Sequence, residues 1–590
     1  MTSILSSLSF VSNINHHSSL HPLFSQKHIL KPKRLDHHHH VSRVACCSNN
    51  RGNPSNTTPP NSNGGHRRDV LISLGGLCGA AGATLINSPF AIADPVIPNY
   101  KNCVQAEIPD CGKPPFDCCP PPTSTDVQPF QLPSYSGTPL RVRPAAHLVT
   151  DEYLAKYERA IDIMRSLPPN DPHSLISQAN IHCAYCNAAY HQKGFPGIQF
   201  QVHDSWLFFP FHRWYLYFFE RIAGHLIEDP SFAIPFWNYD SPDDGMRMPY
   251  IFTSNSKSPL YDPLRNTYHV PPTIVDLDYP NNGGCEGDWD TNSTIMYRQV
   301  VSNGKTPAQF FGDAYRAGYE PACRGGSVEN CPHNSVHNWT GDGNQPNGEN
   351  MGVFYSAGRD PIFYSHHANI DRIWNVWKSE FGGNDFDDQD WLKSEFVLFD
   401  ENKNPVSVKV EDCLNTAEQL GYIYEDVGVP WKDSKPTPCR SRAQRLAAKK
   451  QLGLRNDNVK FPLVLGFRVL RIEVKRPRKS RSRQEKKKAE ELLVIEGIEH
   501  DGQKPVKFDV IVDDDDDGKL VRAKNTEFAG SFVSVPHSSH GMKMKTNLKL
   551  ALTDLLDDLE ADHDDSIMVT LVLRTGQWVK IENIKIELGD

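Results

Sequence analysis

The chain has 590 residues, too many for a single hydrophobic core, so two or three folding units with appendages are expected. Apolar residues at 38% and aromatic residues at 10% are ordinary for a soluble globular protein, and a formal net charge of −9 gives no general attraction to nucleic acid or anionic membrane. The 25 His and 14 Cys are the unusual entries, because imidazole is the side chain that most often binds transition metals.

Residues 1–66 hold a single acidic residue, Asp36, among Ser, Asn, His and scattered Lys and Arg, the make-up of a chloroplast transit peptide. The run His37 to His40 falls inside this leader and is assigned no function. Residues 67–93 then read as a twin-Arg signal for transfer into the thylakoid lumen. Arg67-Arg68 precede an uncharged, Gly- and Ala-rich stretch from Val70 to Ile86, and Ala91-Ile92-Ala93 offers a cleavage site before Asp94. That stretch of 17 residues is short and weakly apolar for a membrane span, so no stable membrane insertion is expected after processing.

Residues 94–432, dense in aromatics, His and Pro and without a fixed repeat, read as one mainly α-helical catalytic domain. Its Pro-rich opening carries Cys103, Cys111, Cys118 and Cys119. Export makes disulfides plausible there, and the neighbours Cys118 and Cys119 must each reach elsewhere. Helices are expected over Glu152 to Ser166, from apolar residues near a 3.6 period, and around Ser174 to Tyr190. Two more are expected over Phe211 to Ile227 after Pro210, and over Ile362 to Phe381 between Pro361 and Gly382-Gly383.

Residues 433–458 turn basic and polar and read as an exposed, protease-sensitive linker. Residues 459–590 contain short β-branched runs with alternating character, which predict an all-β sandwich. The basic run Lys475 to Lys488 lies between two of those strands and reads as a solvated hairpin loop rather than a nucleic-acid patch.

His333 and His337, four apart on a helix, aim at one point. His203 and His212, nine apart, face opposite sides of a regular helix, but Pro210 starts a new helix at His212 and leaves His203 on the preceding segment. His182 comes from a third helix. Adjacent His366 and His367 diverge by about 100°, so only one of them should reach the centre served by His333 and His337. Two sets of three neutral nitrogen donors suit copper or zinc and leave room for an exogenous molecule.

The segments IHCAYC, QVHDSWLFFPFHRWYLYFFER, PHNSVHNW and GRDPIFYSHHANIDRIW resemble the plant polyphenol oxidases (catechol oxidases and tyrosinases) of the type-3 copper proteins. So do DWL at Asp390 to Leu392, the Tyr422-Ile423-Tyr424 motif and VKFDV at Val506 to Val510. The resemblance spans nearly the whole chain. It implies a central four-helix bundle holding two copper ions, His182, His203 and His212 on the first and His333, His337 and His367 on the second. It further implies a thioether between Cys186 and His203, and disulfides Cys111 to Cys119 and Cys118 to Cys183. Phe354 matches a gate aromatic above the second copper. Glu329 matches an acid that orients a water able to take a phenol proton, and Asn334 would help to hold that water.

Cys285, Cys323, Cys331, Cys413 and Cys439 exceed the family complement, and Cys323 with Cys331 could form an extra bridge. The pairing of Cys103 stays open.

The implied reaction is oxidation of o-diphenols to o-quinones with O2 reduced to water, with hydroxylation of monophenols as an added activity. The implied partners are a phenolic substrate, O2 and an activating protease, with the C-terminal sandwich shielding the pocket until removed. An oxygen carrier would use the same copper pair without turnover. A zinc hydrolase would need a positioned base such as that of H-E-x-x-H, which is absent from the sequence. A specialised biosynthetic oxidase acting on chalcones or lignans would share every copper residue.

Overall fold

The structure, a computed structural model, describes residues 94–589 apart from 115–116, 122–125, 243, 281–286, 322–323, 442, 446, 448–458, 515–517, 519–520 and 538–542. Both targeting segments, with His37 to His40, lie outside the described residues. So does half of the basic linker.

Five helices position the site. Helix α1, Asp151–Ser166, is capped by the Thr150 side chain and carries Asp151 and Glu152 against its N-terminal amides. It buries Tyr157, Ala160, Ile161 and Met164, spaced as one helical face. Helix α2, Leu175–Cys186, capped by Ser174, is buried along almost its whole surface. Helix α3, Phe208–Leu226, begins three residues before the expected Phe211, so Pro210 falls in its first turn, where the missing N–H has no intrahelical partner to lose. Helix α4, Asn334–Thr340, continues from a π-helical turn over Glu329–His333. Helix α5, Ile362–Phe381, has the expected bounds and ends on Gly382 at φ 69°, the left-handed region where glycine is strain-free.

A buried ionic knot ties these helices to the two ends of the domain. Strand β1, Arg141–Arg143, pairs in parallel with β2, Tyr422–Tyr424. Asp371 of α5 accepts from Arg213 of α3 at 2.5 Å, Arg143 of β1 at 3.2 Å, and the hydroxyls of Tyr422 at 2.6 Å and Tyr424 at 2.5 Å. Arg143 also donates to Glu220 of α3 at 2.8 Å. Burial alone would raise the Asp371 pKa, but the two guanidinium groups and two hydroxyls outweigh it and hold the carboxyl below its usual range.

The irregular N-terminal stretch is stapled onto α2. Cys118 bridges to Cys183, one residue from His182, with Cα atoms 5.2 Å apart, as expected. Cys119 pairs with Cys103, Cα to Cα 5.7 Å, and not with Cys111, which corrects the expected pairing. Cys111 sits on an exposed turn at φ 65°, closed by the Gly112 N–H on the Pro109 carbonyl. The Cys103 segment instead runs back along the domain, Val104 N–H bonding Ala189 O. The bridge that Cys323 and Cys331 could have formed is not made: Cys331 is a free, buried thiol lying 3.3 Å from Leu277 O, and the Ser335 hydroxyl donates to its sulfur at 3.7 Å.

The C-terminal part is the expected sandwich. Its strands are β3 Leu463–Leu465, β4 Leu470–Lys475, β5 Glu490–Asp501, β6 Val506–Val512, β7 Phe528–Ser534, β8 Lys543–Ala551, β9 Ser566–Thr575, β10 Val579–Ile581 and β11 Asn583–Gly589. One sheet has the order β8-β5-β10-β3 with β11 also on β5, and the other β7-β6-β9-β4. Residues Lys475 to Lys488 do not form a hairpin loop, because β4 pairs with β9 and β5 with β8, β10 and β11, so this segment crosses between sheets. Its Arg476 is buried and donates to Glu491 at 2.7 Å and 2.9 Å, which anchors the crossing.

The sheet carrying β6 and β7 lies against the helical domain, with Ile511, Phe528 and Val535 in the same apolar cluster as the helices. Lys507 of β6 is buried, 2.6 Å from the Asp278 carboxylate of the helical domain. The described start of the linker is fastened down rather than free, Cys439 N–H donating to Glu527 at 2.9 Å.

Removing one partner from a buried charge network leaves the others uncompensated, which costs roughly 3–5 kcal/mol. Asp371→Asn is therefore expected to lower thermal stability strongly while its neighbour-conserving control, Glu152→Gln at an exposed site, leaves it almost unchanged. Circular dichroism melts of the two variants check this; equal melting points would remove the knot from its structural role.

Candidate metal centre

Seven buried histidines and one cysteine meet between the helices in two groups. His182 of α2, Cys186 of α2, His203 of the connecting segment and His212 of α3 bring their donor atoms within 4.8 Å of one another. His333, His337 of α4, His366 and His367 of α5 do the same. The groups interlock, since the rings of His212 and His367 stack with centroids 4.1 Å apart and those of His203 and His333 lie 5.7 Å apart.

Main-chain carbonyls fix which nitrogen each ring presents. His182 Nδ1–H donates to Phe354 O at 3.1 Å, His212 Nδ1–H to Phe208 O at 2.7 Å, and His337 Nδ1–H to Met351 O at 2.7 Å. His333 Nδ1 meets the Asn334 side-chain oxygen at 2.9 Å. The Nε2 atoms of His182, His212 and His333 are buried without a partner, as are both nitrogens of His203. A ring that donates through Nδ1 keeps its lone pair on Nε2, so these orphaned atoms are preset as ligands.

Burial pushes all seven rings toward the neutral form, and repulsion among neighbouring imidazoles adds to it for all but His337. His212 is pushed down to about 3 and His337 to about 4, in both cases mainly by desolvation. His182, His203, His333, His366 and His367 are held well below their usual value for the same first reason. Neutral imidazole is the metal-binding form, and an all-nitrogen set without carboxylate fits copper or zinc.

Both His366 and His367 bring a donor atom within 4.8 Å of those of His333 and His337. His367 Nε2 lies 3.4 Å from His337 Nε2, whereas the His366 ring stacks on that of His333 at 5.3 Å and has no hydrogen-bond partner on either nitrogen. A helical wheel separates adjacent residues in direction but takes no account of how closely α4 approaches α5. His366 is the residue that sequence reasoning set aside; its side-by-side position with His367 was the available signal.

Phe354 stacks flat on His203, centroids 4.1 Å apart at 3°, and its carbonyl holds His182. Glu329 Oε1 accepts from Asp204 N–H at 2.8 Å, while Oε2 is buried without a partner. Burial, then the neighbouring Asp204 carboxyl, raise the Glu329 pKa well above its usual value. Asn334 is engaged by His333 and, through its amide, by Val533 O at 2.9 Å. Cys186 is a free buried thiol in the first group.

The segment from β7 to His537 covers this centre. Phe354 N–H donates to Pro536 O at 3.2 Å, and the His537 ring comes within 5.5 Å of the Phe354 ring.

Residues 172–380 match the common central domain of tyrosinase, 385–437 the polyphenol oxidase middle domain, and 461–588 the chloroplastic polyphenol oxidase C-terminal domain. A chloroplastic polyphenol oxidase of Malus domestica is 52% identical over 541 residues, covering 89% of each chain. The latent form of a chloroplastic polyphenol oxidase of Prunus armeniaca is 51% identical over 534 residues, covering 88% of this chain and 87% of that one. The solved structure of latent apple tyrosinase is 52% identical, with a TM-score of 0.73, covering 79% of this chain and all of the other.

Loading of the purified protein with copper and measurement by inductively coupled plasma mass spectrometry should give about two ions per chain. His212→Ala is expected to bring this to about one, and His212→Ala with His337→Ala to near zero. A wild-type value of one would mean that the two groups form a single site.

Proposed function

The chain belongs to the plant polyphenol oxidases, copper enzymes built on the tyrosinase domain, and from that premise we propose which of its residues carry the reaction. It oxidises o-diphenols to o-quinones with reduction of O2 to water. His182, His203 and His212 hold one copper ion, and His333, His337 and His367 the other. The observation that carries this assignment is the pair of interlocked imidazole groups with carbonyl-fixed tautomers and orphaned Nε2 atoms. His366 is left out of the set on the family pattern, in which the second residue of the pair coordinates. When bound, the copper pair supplies the two-electron exchange with dioxygen.

The remaining work falls to the chain. The orienting carbonyls of Phe208, Met351 and Phe354 keep the imidazoles aimed, while burial keeps them neutral. The Phe354 ring, flat on His203, forms an apolar wall against which a catechol ring can lie while its hydroxyls face the histidines. A thioether from Cys186 to His203 would fix the one ligand that stands on a connecting segment; the thiol lies in the same donor group, and neither nitrogen of His203 has another partner. The two-part leader supports a chloroplast address, as in the relatives named chloroplastic, and passage to the thylakoid lumen. Among the described residues no helix is long and apolar enough to cross a membrane.

Val535, Pro536 and His537 lie over the pocket, and Lys507 with Asp278 locks their sheet against the helical domain. The sandwich is therefore a shield, and cleavage by a protease within the basic linker releases it. Limited proteolysis within Cys439 to Asn458 should raise catechol oxidation, read as oxygen uptake, by about tenfold or more if most closed molecules are blocked. Equal turnover before and after cleavage would end the shielding account.

Hydroxylation of monophenols is a second reading, favoured by the orphaned Oε2 of Glu329, whose other oxygen accepts from Asp204 N–H next to His203. Burial raises the pKa of that acid in the shielded chain, and its free oxygen is the acceptor a phenol proton would need. The opened, copper-loaded enzyme should convert tyramine with only a trace of diphenol primer. Glu329→Gln should slow tyramine conversion by about tenfold or more while catechol oxidation falls less. No conversion above a copper-free control would exclude the activity.

A further inference from the structure

The way the covering segment is held identifies what else this pocket binds. Asn330, Asn334 and Asn338 recur every four residues along the π-helical turn and α4, and all three spend their side chains on the backbone of residues 531–534. Asn330 donates to Ser531 O at 2.7 Å and accepts from Val533 N–H at 3.0 Å. Asn334 donates to Val533 O at 2.9 Å and Asn338 to Ser534 O at 3.0 Å. Beyond the helix, Phe354 N–H donates to Pro536 O at 3.2 Å, and the Asn187 amide to His537 O at 2.9 Å.

All six of these contacts are to main-chain atoms, so they read an extended polypeptide irrespective of most of its side chains. Two side chains are exceptions. Val535 is buried in the same apolar cluster as the helices, and the His537 ring is delivered to within 5.5 Å of Phe354, which itself lies on His203. The surface therefore asks for an extended chain with an apolar residue two places before the side chain presented to the histidines.

We infer that the opened enzyme takes peptides and unfolded protein segments as substrates, binding their backbone on the asparagine stripe and oxidising a catechol side chain carried where His537 now stands. This rests on the reading that the pocket oxidises catechols. For each O2 reduced to two waters, two peptide-borne 3,4-dihydroxyphenylalanine side chains each lose two electrons and two protons and become o-quinones. No reactant is needed beyond those of the established activity.

The test uses the copper-loaded full chain opened by limited proteolysis of the linker. The probe is the blocked peptide Ser-Phe-Val-Ser-Val-Pro followed by dihydroxyphenylalanine amide, the order of Ser531 to Pro536 with the catechol in place of His537. It is compared with N-acetyl-dihydroxyphenylalanine amide, which carries the same ring without the extended backbone. The peptide should show a KM about tenfold lower or better, from several hydrogen bonds each contributing a few-fold. N-methylation of the peptide nitrogen matching Val533, or aspartate in place of the residue matching Val535, should raise its KM by about threefold or more with kcat little changed. Asn330→Ala and Asn338→Ala in the enzyme should collapse the ratio between the two substrates.

Equal KM values for the peptide and the blocked amino acid, with both oxidised, would overturn the inference while leaving catechol oxidation in place. So would a peptide advantage that survives both N-methylation and Asn330→Ala. Oxidation of neither substrate would sink the oxidase reading and the inference with it.

Discussion

Everything in the site depends on burying imidazoles without charge. A protonated histidine in this dry interior would have to lose its hydration with no carboxylate in the ligand groups to compensate, so the fold admits these rings only as neutral donors. Neutrality alone leaves two tautomers, and backbone carbonyls remove that freedom by taking the Nδ1 proton of His182, His212 and His337. The carbonyls belong to segments that must themselves be held still. One of them, at Phe354, also carries the ring that walls the pocket, so ligand orientation and substrate access are built into a single residue.

Rigidity comes from two kinds of buried cross-link. The Asp371 knot joins α3, α5 and both β-paired ends of the helical domain, and its charges are affordable in the interior only because each has several partners. The Cys118–Cys183 disulfide, also buried, ties α2 next to His182 to a Pro-rich segment that has little secondary structure of its own. His203 receives neither kind of support from carbonyls or helix, which makes it the ligand whose position depends most on packing against Phe354 and on Cys186 nearby.

The sandwich meets the helical domain through backbone recognition more than through shape alone. Asparagines on the π-helical turn and α4 treat the C-terminal half of β7 much as a neighbouring strand would, supplying donors and an acceptor to its main chain. The buried Lys507–Asp278 pair adds a contact whose strength depends on staying dry, because either charge alone would be costly once isolated. Covering the pocket and recognising an extended chain are thus the same geometry seen with different occupants.

The sequence by itself determined the elements whose signals are local. The 3.6-residue period and caps placed α1 and α5, and alternation placed most strands of the sandwich. The spacing of His333 and His337, with Pro210 separating His203 from His212, picked out histidines that the fold gathers into two groups. It did not find β8, although the alternation of polar and apolar residues over Lys543–Ala551 is the pattern of a half-buried strand, nor the crossing at Lys475 to Lys488 between sheets. Only the tertiary structure decided that Cys119 pairs with Cys103, that His366 also enters the second group, and that three asparagines grip the backbone near His537. Periodicity and capping are properties of neighbouring residues and are written along the chain. Pairings between residues hundreds of positions apart are set by how packed elements approach, and no local pattern encodes that distance.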